Sequence, residues 1–193
     1  MRLVDVTNPT SQPVTLGEAR EQVRVLDNVH DTKLIMCINA ATSYIERLTE
    51  SRLMERTMRL ELDDFPSGEV DLGVYPVTAV SSVAYDDADN AEQTLVLNTD
   101  YYQSLSGMRP RVSPVSAWPA SLSKPAAVRI TMTAGYANRD QVPDDLRMAV
   151  LKMVQELFAN NGDTITNMTV TNVPIGVHAL AEMWRRFTSY DAQ

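Results

Sequence analysis

The chain has one cysteine and two histidines, and between residues 60 and 100 it has no lysine or arginine. Each shortage excludes something. A lone thiol, Cys37, forms no internal disulfide, which suits a protein made and used in a reducing cytoplasm. His30 and His178 stand far apart, in neither H-x-x-x-H nor H-E-x-x-H spacing, so no histidine pair marks a metal centre. No apolar run approaches the roughly 18 to 20 residues of a membrane helix. The opening Met1-Arg2-Leu3-Val4-Asp5 lacks the apolar run and small-residue site of a secretion signal, so neither export nor membrane is expected. G-x-S-x-G, Walker A and G-x-G-x-x-G are all missing.

What is present suits a folded protein. The 193 residues fit one domain, or one domain carrying an insertion, and 44% of them are apolar, enough for a core. Seven glycines and ten prolines are ordinary counts that argue against wholesale disorder.

Charge is unevenly spread. Residues 1–59 carry eight acids and eight bases, and residues 101–193 seven acids and nine bases. Residues 60–100 hold ten acids (Glu61, Asp63, Asp64, Glu69, Asp71, Asp86, Asp87, Asp89, Glu92 and Asp100), so the net charge of −8 originates in this middle segment. Such a segment repels a duplex, which disfavours a nucleic-acid binder.

Periodicity divides the chain. Residues 1–14 read as an extended arm. Thr15-Leu16-Gly17-Glu18 has the form of a capping box, followed by an apolar face of Leu16, Ala19, Val23 and Leu26. Asp31 is placed to cap a second helix, with Leu34, Ile38, Ala41, Ile45 and Leu48 on one stripe. The period then falls to two at Met58, Leu60 and Leu62, again at Val70, Leu72 and Val74, and later at Val128, Ile130 and Met132. Between these lie Val80 to Tyr85, Thr94 to Leu97 and Tyr101 to Gln103 as further strands, whereas 107–125 reads as loop. Leu146, Val150, Met153 and Leu157 restore a helical stripe that Asn160-Asn161-Gly162 ends. A last helix from Ile175 to Tyr190 aligns Val177, Leu180, Trp184 and Phe187.

The expected fold is therefore α+β: a small bundle of about four helices interrupted by an antiparallel β insertion. Its parts are an arm (1–14), a helical module (15–53 and 137–162), the insertion (54–136), and a loop with a C-terminal docking helix (163–193).

No catalytic, cofactor-binding or metal-binding set emerges. Cys37 sits in a helix beside the apolar stripe, with no cluster of bases to lower its pKa, so it reads as a core thiol. Asp86, Asp87 and Asp89 lack the central glycine and closing glutamate of a calcium loop and read as a solvated hairpin turn. Asp63 and Asp64, adjacent on a strand, point to opposite faces and read as strand-end solvation. The C-terminal segment stands out, because Met183, Trp184, Tyr190 and Arg185-Arg186 are types enriched at interfaces. Either it packs on its own helical module or it docks into a partner protein, and one face can serve each.

The order of segments resembles the head–tail connector (head-completion adaptor) family of tailed phages and gene-transfer-agent particles. The stretches that carry the likeness are Val14-Thr15-Leu16-Gly17-Glu18-Ala19, Ala40-Ala41-Thr42-Ser43-Tyr44-Ile45-Glu46 and Leu60-Glu61-Leu62-Asp63-Asp64-Phe65-Pro66. Pro76-Val77-Thr78-Ala79-Val80, Trp118-Pro119, Ala134-Gly135-Tyr136, Val142-Pro143-Asp144-Asp145-Leu146 and Val173-Pro174-Ile175-Gly176-Val177 continue it, across residues 13–187. The sequence departs from the family at Gly17 and at Ala181-Glu182.

The resemblance implies a structural, non-enzymatic virion protein at the head–tail junction, assembled in the host cytoplasm without a cofactor. Implied partners are the portal protein, copies of itself in a ring expected to number twelve, and a tail-side connector or tail terminator. Genomic DNA would pass through the channel without specific binding. The portal-docking residues carried over are Ile175, Val177, Leu180, Trp184 and Phe187. Asp63, Asp64, Asp86, Asp87 and Asp89 would face either the lumen, letting DNA slide, or a neighbouring subunit. Another interaction or scaffold module is the alternative reading.

Overall fold

The computed structural model describes residues 1–25, 27–159 and 175–186. The fold is α+β, and the chain divides into a sheet unit, Met1–Thr10 with Glu55–Tyr136, and a helical unit, Ser11–Met54 with Ala137–Gln193.

In the sheet unit, strands β1 (Arg2–Asp5), β2 (Arg56–Leu62), β4 (Val77–Asp86), β5 (Glu92–Leu95) and β8 (Val128–Ala134) form one sheet in the order β1-β2-β8-β4-β5. Strands β3 (Val70–Asp71), β6 (Tyr101–Ser104) and β7 (Arg111–Pro114) form another in the order β3-β7-β6, and every strand pairing is antiparallel. The two-residue alternation fixes the register. Met58 stands opposite Met132 and Leu60 opposite Ile130, so the buried side chains of β2 and β8 share one face. Val70, Leu72, Val74, Tyr101 and Val112 from the smaller sheet and its loops complete the same core. Each side chain of this size contributes about 1.5–3 kcal/mol by leaving water.

Two strands lie where the sequence reading placed none, and the strand expected at Thr94 to Leu97 is instead β5, Glu92–Leu95. Part of the expected arm is β1, whose Leu3 lies opposite Leu60 of β2. Part of the expected loop 107–125 is β7, which Pro110 precedes and Pro114 ends. Only Val112 of β7 is buried, too little apolar alternation to announce a strand.

In the helical unit, α1 (Leu16–Val23) begins with the expected capping box: Glu18 N–H donates to Thr15 Oγ1 at 3.0 Å, and Thr15 N–H donates to Glu18 Oε2 at 2.6 Å. Helix α2 (Asp31–Thr49) buries Leu34, Ile38, Ala41 and Ile45 as its stripe requires. Asp31 is not its cap. It is the first helical residue, His30 holds the cap position without a side-chain bond, and the Asp31 carboxylate is drawn to Arg20 instead. Helix α3 (Asp144–Ala159) buries Leu146, Ala149, Val150 and Val154 and packs most extensively on α2. Helix α4 (Ile175–Glu182) is shorter than the span to Tyr190 expected from the sequence. Leu26, the Asn160-Asn161-Gly162 stop, the segment 163–174 and Tyr190 lie outside the described residues.

Candidate functional site

Helix α4 was expected to offer docking residues, and the structure gives them different environments. Val177 and Ala181 are fully buried within the helical unit. Val177 therefore anchors the helix instead of presenting a surface. Leu180 and Trp184 are half-buried, and the Trp184 indole N–H reaches Asp145 of α3 at 3.4 Å. The side chain of Ile175 and all of Phe187 lie outside the described residues.

Beyond α4, the chain is held to the end of α2. Arg186 N–H donates to the Thr49 carbonyl at 3.1 Å, and its nearly inaccessible guanidinium meets Glu50 at 3.1 Å. The Arg186 N–H thereby satisfies one of the carbonyls that a helix C-terminus leaves unpaired. The sequence marked Arg185-Arg186 only as interface-type residues. Arg186 is instead a structural tie.

The acidic segment is less acidic in space than in sequence, because bases from outside it, on the same strand, on neighbouring strands and in loops, pair with its acids. Glu61 pairs with Arg59, Glu69 with Arg111, Asp71 with Arg109, and Glu92 with Arg129. Asp86 overturns the expectation of a solvated turn. It is buried at the end of β4, where Arg129 of the adjacent strand and Lys124 both reach it at 2.7 Å. Hydrogen bonds from Arg129 first, and then from Lys124, hold its carboxyl far below the usual range. Arg129 stands 43 residues further along the chain, so only the strand pairing brings the two together.

The remaining acids lie in loops. Asp87 accepts the backbone N–H groups of Asp89 and Ala91, each at 3.0 Å, which organises the β4–β5 turn. The Ala91 bond, with further help from Gln93, lowers its pKa. Asp63 accepts from Ala126 N–H at 3.0 Å and Asp64 from the Ser121 hydroxyl at 2.5 Å, so both pin the 115–126 loop. Asp63, Asp64 and Asp89 remain solvent-exposed. Beside them, Phe65 and Trp118 stack with centroids 4.7 Å apart, and Trp118 donates to the Gly68 carbonyl at 2.6 Å.

Cys37 is buried, and burial pushes its thiol pKa up, which leaves it inert as a nucleophile. Among the described residues no group of three His, Cys, Asp or Glu is placed to hold a metal ion, and no helix is long and apolar enough to cross a membrane. The groove of about 550 Å³ along α1, lined by Gly17, Arg20, Glu21, Arg24 and Val25, gathers neither a nucleophile nor a base pair for one. The sequence reading missed the exposure of Ile35, Met36 and Met148. For Ile35 and Met36 the signal was present: no charged residue occurs between Lys33 and Glu46.

No protein-family profile matches the sequence, and no curated protein matches it. Solved structures do. The chain is similar to a chain from the neck of the empty gene transfer agent (GTA) particle, computed with C6 symmetry, at 27% identity and a TM-score of 0.80 over 97% of both chains. It is also similar to a chain of the native GTA virion (26% identity, TM-score 0.80) and to one from the neck of the native particle computed with C12 symmetry (26%, TM-score 0.79). Each of those matches also covers 97% of both chains.

Proposed function

We propose that this chain is a structural neck protein of a gene-transfer-agent-like or tailed-phage particle: a head–tail connector that forms a ring beneath the portal and extends the DNA channel toward the tail. The similarity to neck chains over 97% of both lengths carries this reading, because neither unit of the chain is left unaccounted for. The residue pattern from Val14 to Val177 points the same way. Twelve copies is the ring size in keeping with the C12 neck. The partners are the portal above, neighbouring copies at the sides, and a tail-side connector or tail terminator below. Genomic DNA passes through without specific binding, and the ring is built onto filled heads in the host cytoplasm.

In this role Leu180 and Trp184 meet the portal, together with Ile175 and Phe187, while Val177 holds the helix in place. Asp63, Asp64, Asp87 and Asp89 form the acidic surface toward the lumen or a neighbouring copy, and Asp86 belongs to the fold. Asp89→Lys separates the two placements: on a lumen wall it slows DNA release, and at a contact between copies it lowers the number of chains per particle.

The test is addition of the purified full chain to DNA-filled heads from cells lacking it. Binding of the chain and restored tail attachment support the reading. Heads that neither bind the chain nor gain tails overturn it.

A further inference from the structure

A ring made by rotation requires two different, complementary surfaces on opposite sides of each copy. The helical unit has two candidates. Helices α2 and α3 pack on each other through their buried stripes, so what each exposes faces away from the other. Helix α2 exposes Thr32, Ile35, Met36, Asn39, Ala40 and Ser43, about three turns without a charged side chain. Met36 is 66% accessible and Ile35 46%. A helix face that water covers ordinarily carries charge.

Three of the four charges of α2 are engaged elsewhere: Asp31 pairs with Arg20, Lys33 Nζ donates to the Phe158 carbonyl at 2.8 Å and lies over that ring, and Glu46 accepts from Leu53 N–H at 2.8 Å. The fourth, the exposed Arg47, donates to the Ser43 carbonyl at 3.1 Å and marks the charged C-terminal edge of this face. Ala40 and Ser43 are small enough to let another helix approach closely.

The opposite side has a different character. Helix α4 runs antiparallel along α3, with Trp184 against Asp145 and Gly176 beside Lys152. Met148, 44% accessible, and Met183, 63% accessible, stand out there among Asp144, Lys152 and Glu182. An apolar, methionine-bearing centre with a charged rim has the composition of a protein interface, and methionine adapts its shape to what it meets.

We propose that, in the ring, the uncharged face of α2 in one copy packs on the α3–α4 face around Met148 and Met183 of the next copy. This rests on the ring reading above and names the lateral contact that closes it. The contact is heterologous, so it propagates from copy to copy until rotation closes the circle.

The experiment uses whole particles. The unmodified chain is first sought in purified particles, and its absence would remove the ring reading and this inference together. With the chain present, Met36 is replaced by the photo-crosslinking residue p-benzoyl-L-phenylalanine, and assembled particles are irradiated. The expected product is an adduct of two copies, with the link mapping to residues 144–159 or 175–186. An adduct with a different virion protein, or incorporation at the normal level with no adduct, overturns the lateral contact and leaves the ring reading standing.

As a second readout, Ala40→Glu and Met148→Glu each place a carboxylate at the buried centre of the contact. Each is expected to lower the copies per particle about tenfold or more while the purified chain melts at an unchanged temperature. Normal copy number for both variants also overturns the contact.

Discussion

Arg129 of β8 grips Asp86 of β4 with both terminal nitrogens, at 2.9 and 2.7 Å, in the planar fork geometry that a guanidinium offers a carboxylate. The pair turns the last residue of β4, one of the acids of the 60–100 segment, into a strap between two adjacent strands of the five-stranded sheet.

The carboxyl of Asp86 titrates far below the ordinary aspartate value of about 3.9. A depressed carboxylate adds stability that is fully present above its unfolded pKa and is lost as pH falls through its folded one. Asp86→Asn is therefore expected to melt at a lower temperature than the unmodified chain at pH 7. The gap should narrow as pH is taken from about 4 downward. Thermal melts from pH 3 to pH 7 check this, and a gap independent of pH contradicts it.

The shared core of the sheet unit sets a second expectation. Leu60 is fully buried opposite Ile130, so Leu60→Ala should cost about 2–5 kcal/mol of unfolding free energy. Val96, which is exposed, should tolerate the same truncation within about 0.5 kcal/mol. Denaturant titration of the two variants side by side measures the contrast.

At the start of α1, Thr15→Ala removes the acceptor for Glu18 N–H and one donor to the Glu18 carboxylate. Loss of a cap of this kind costs about 1 kcal/mol. Burial raises the Glu18 pKa, but the bonds from Thr15 and Arg147 outweigh it and leave a net lowering. NMR titration of the variant should show the Glu18 carboxyl moving back up toward the ordinary range.

In the proposed role, helix α4 would separate anchoring from docking. Val177→Asp buries an unpaired charge and should cost about 3 kcal/mol or more, with loss of helical signal. Trp184→Ala is half-exposed and should leave the fold in place while weakening binding to filled heads. Calorimetry and head-binding assays on both variants decide it. Equal loss of folding in the two variants contradicts the separation.

How much was legible in the sequence depended on the range of each interaction. The Thr15–Glu18 box was readable because its partners are three residues apart. So were β2 and β8, because Met58, Leu60, Ile130 and Met132 alternate strictly enough to fix the buried face. Strands β1 and β7 were not: β1 has four residues and is set by pairing with β2 far along the chain, and β7 has four residues of which only Val112 is buried. The partners of Asp86 and the tie from Arg186 to Glu50 were invisible for the same reason. Asp31 misled because its capping-type side chain faces a nearer cation, Arg20. At the candidate site, composition marked the C-terminal segment but not which of its residues turn inward, and for Val177 packing decided that.

The most direct measurement is electron microscopy of particles carrying a gold-labelled form of this chain. The account predicts label confined to the junction of head and tail, with averaged density there fitting both the sheet unit and the helical unit in a rotationally symmetric ring. Label on the capsid shell or along the tail, or particles that retain tails and lack the label altogether, would contradict it.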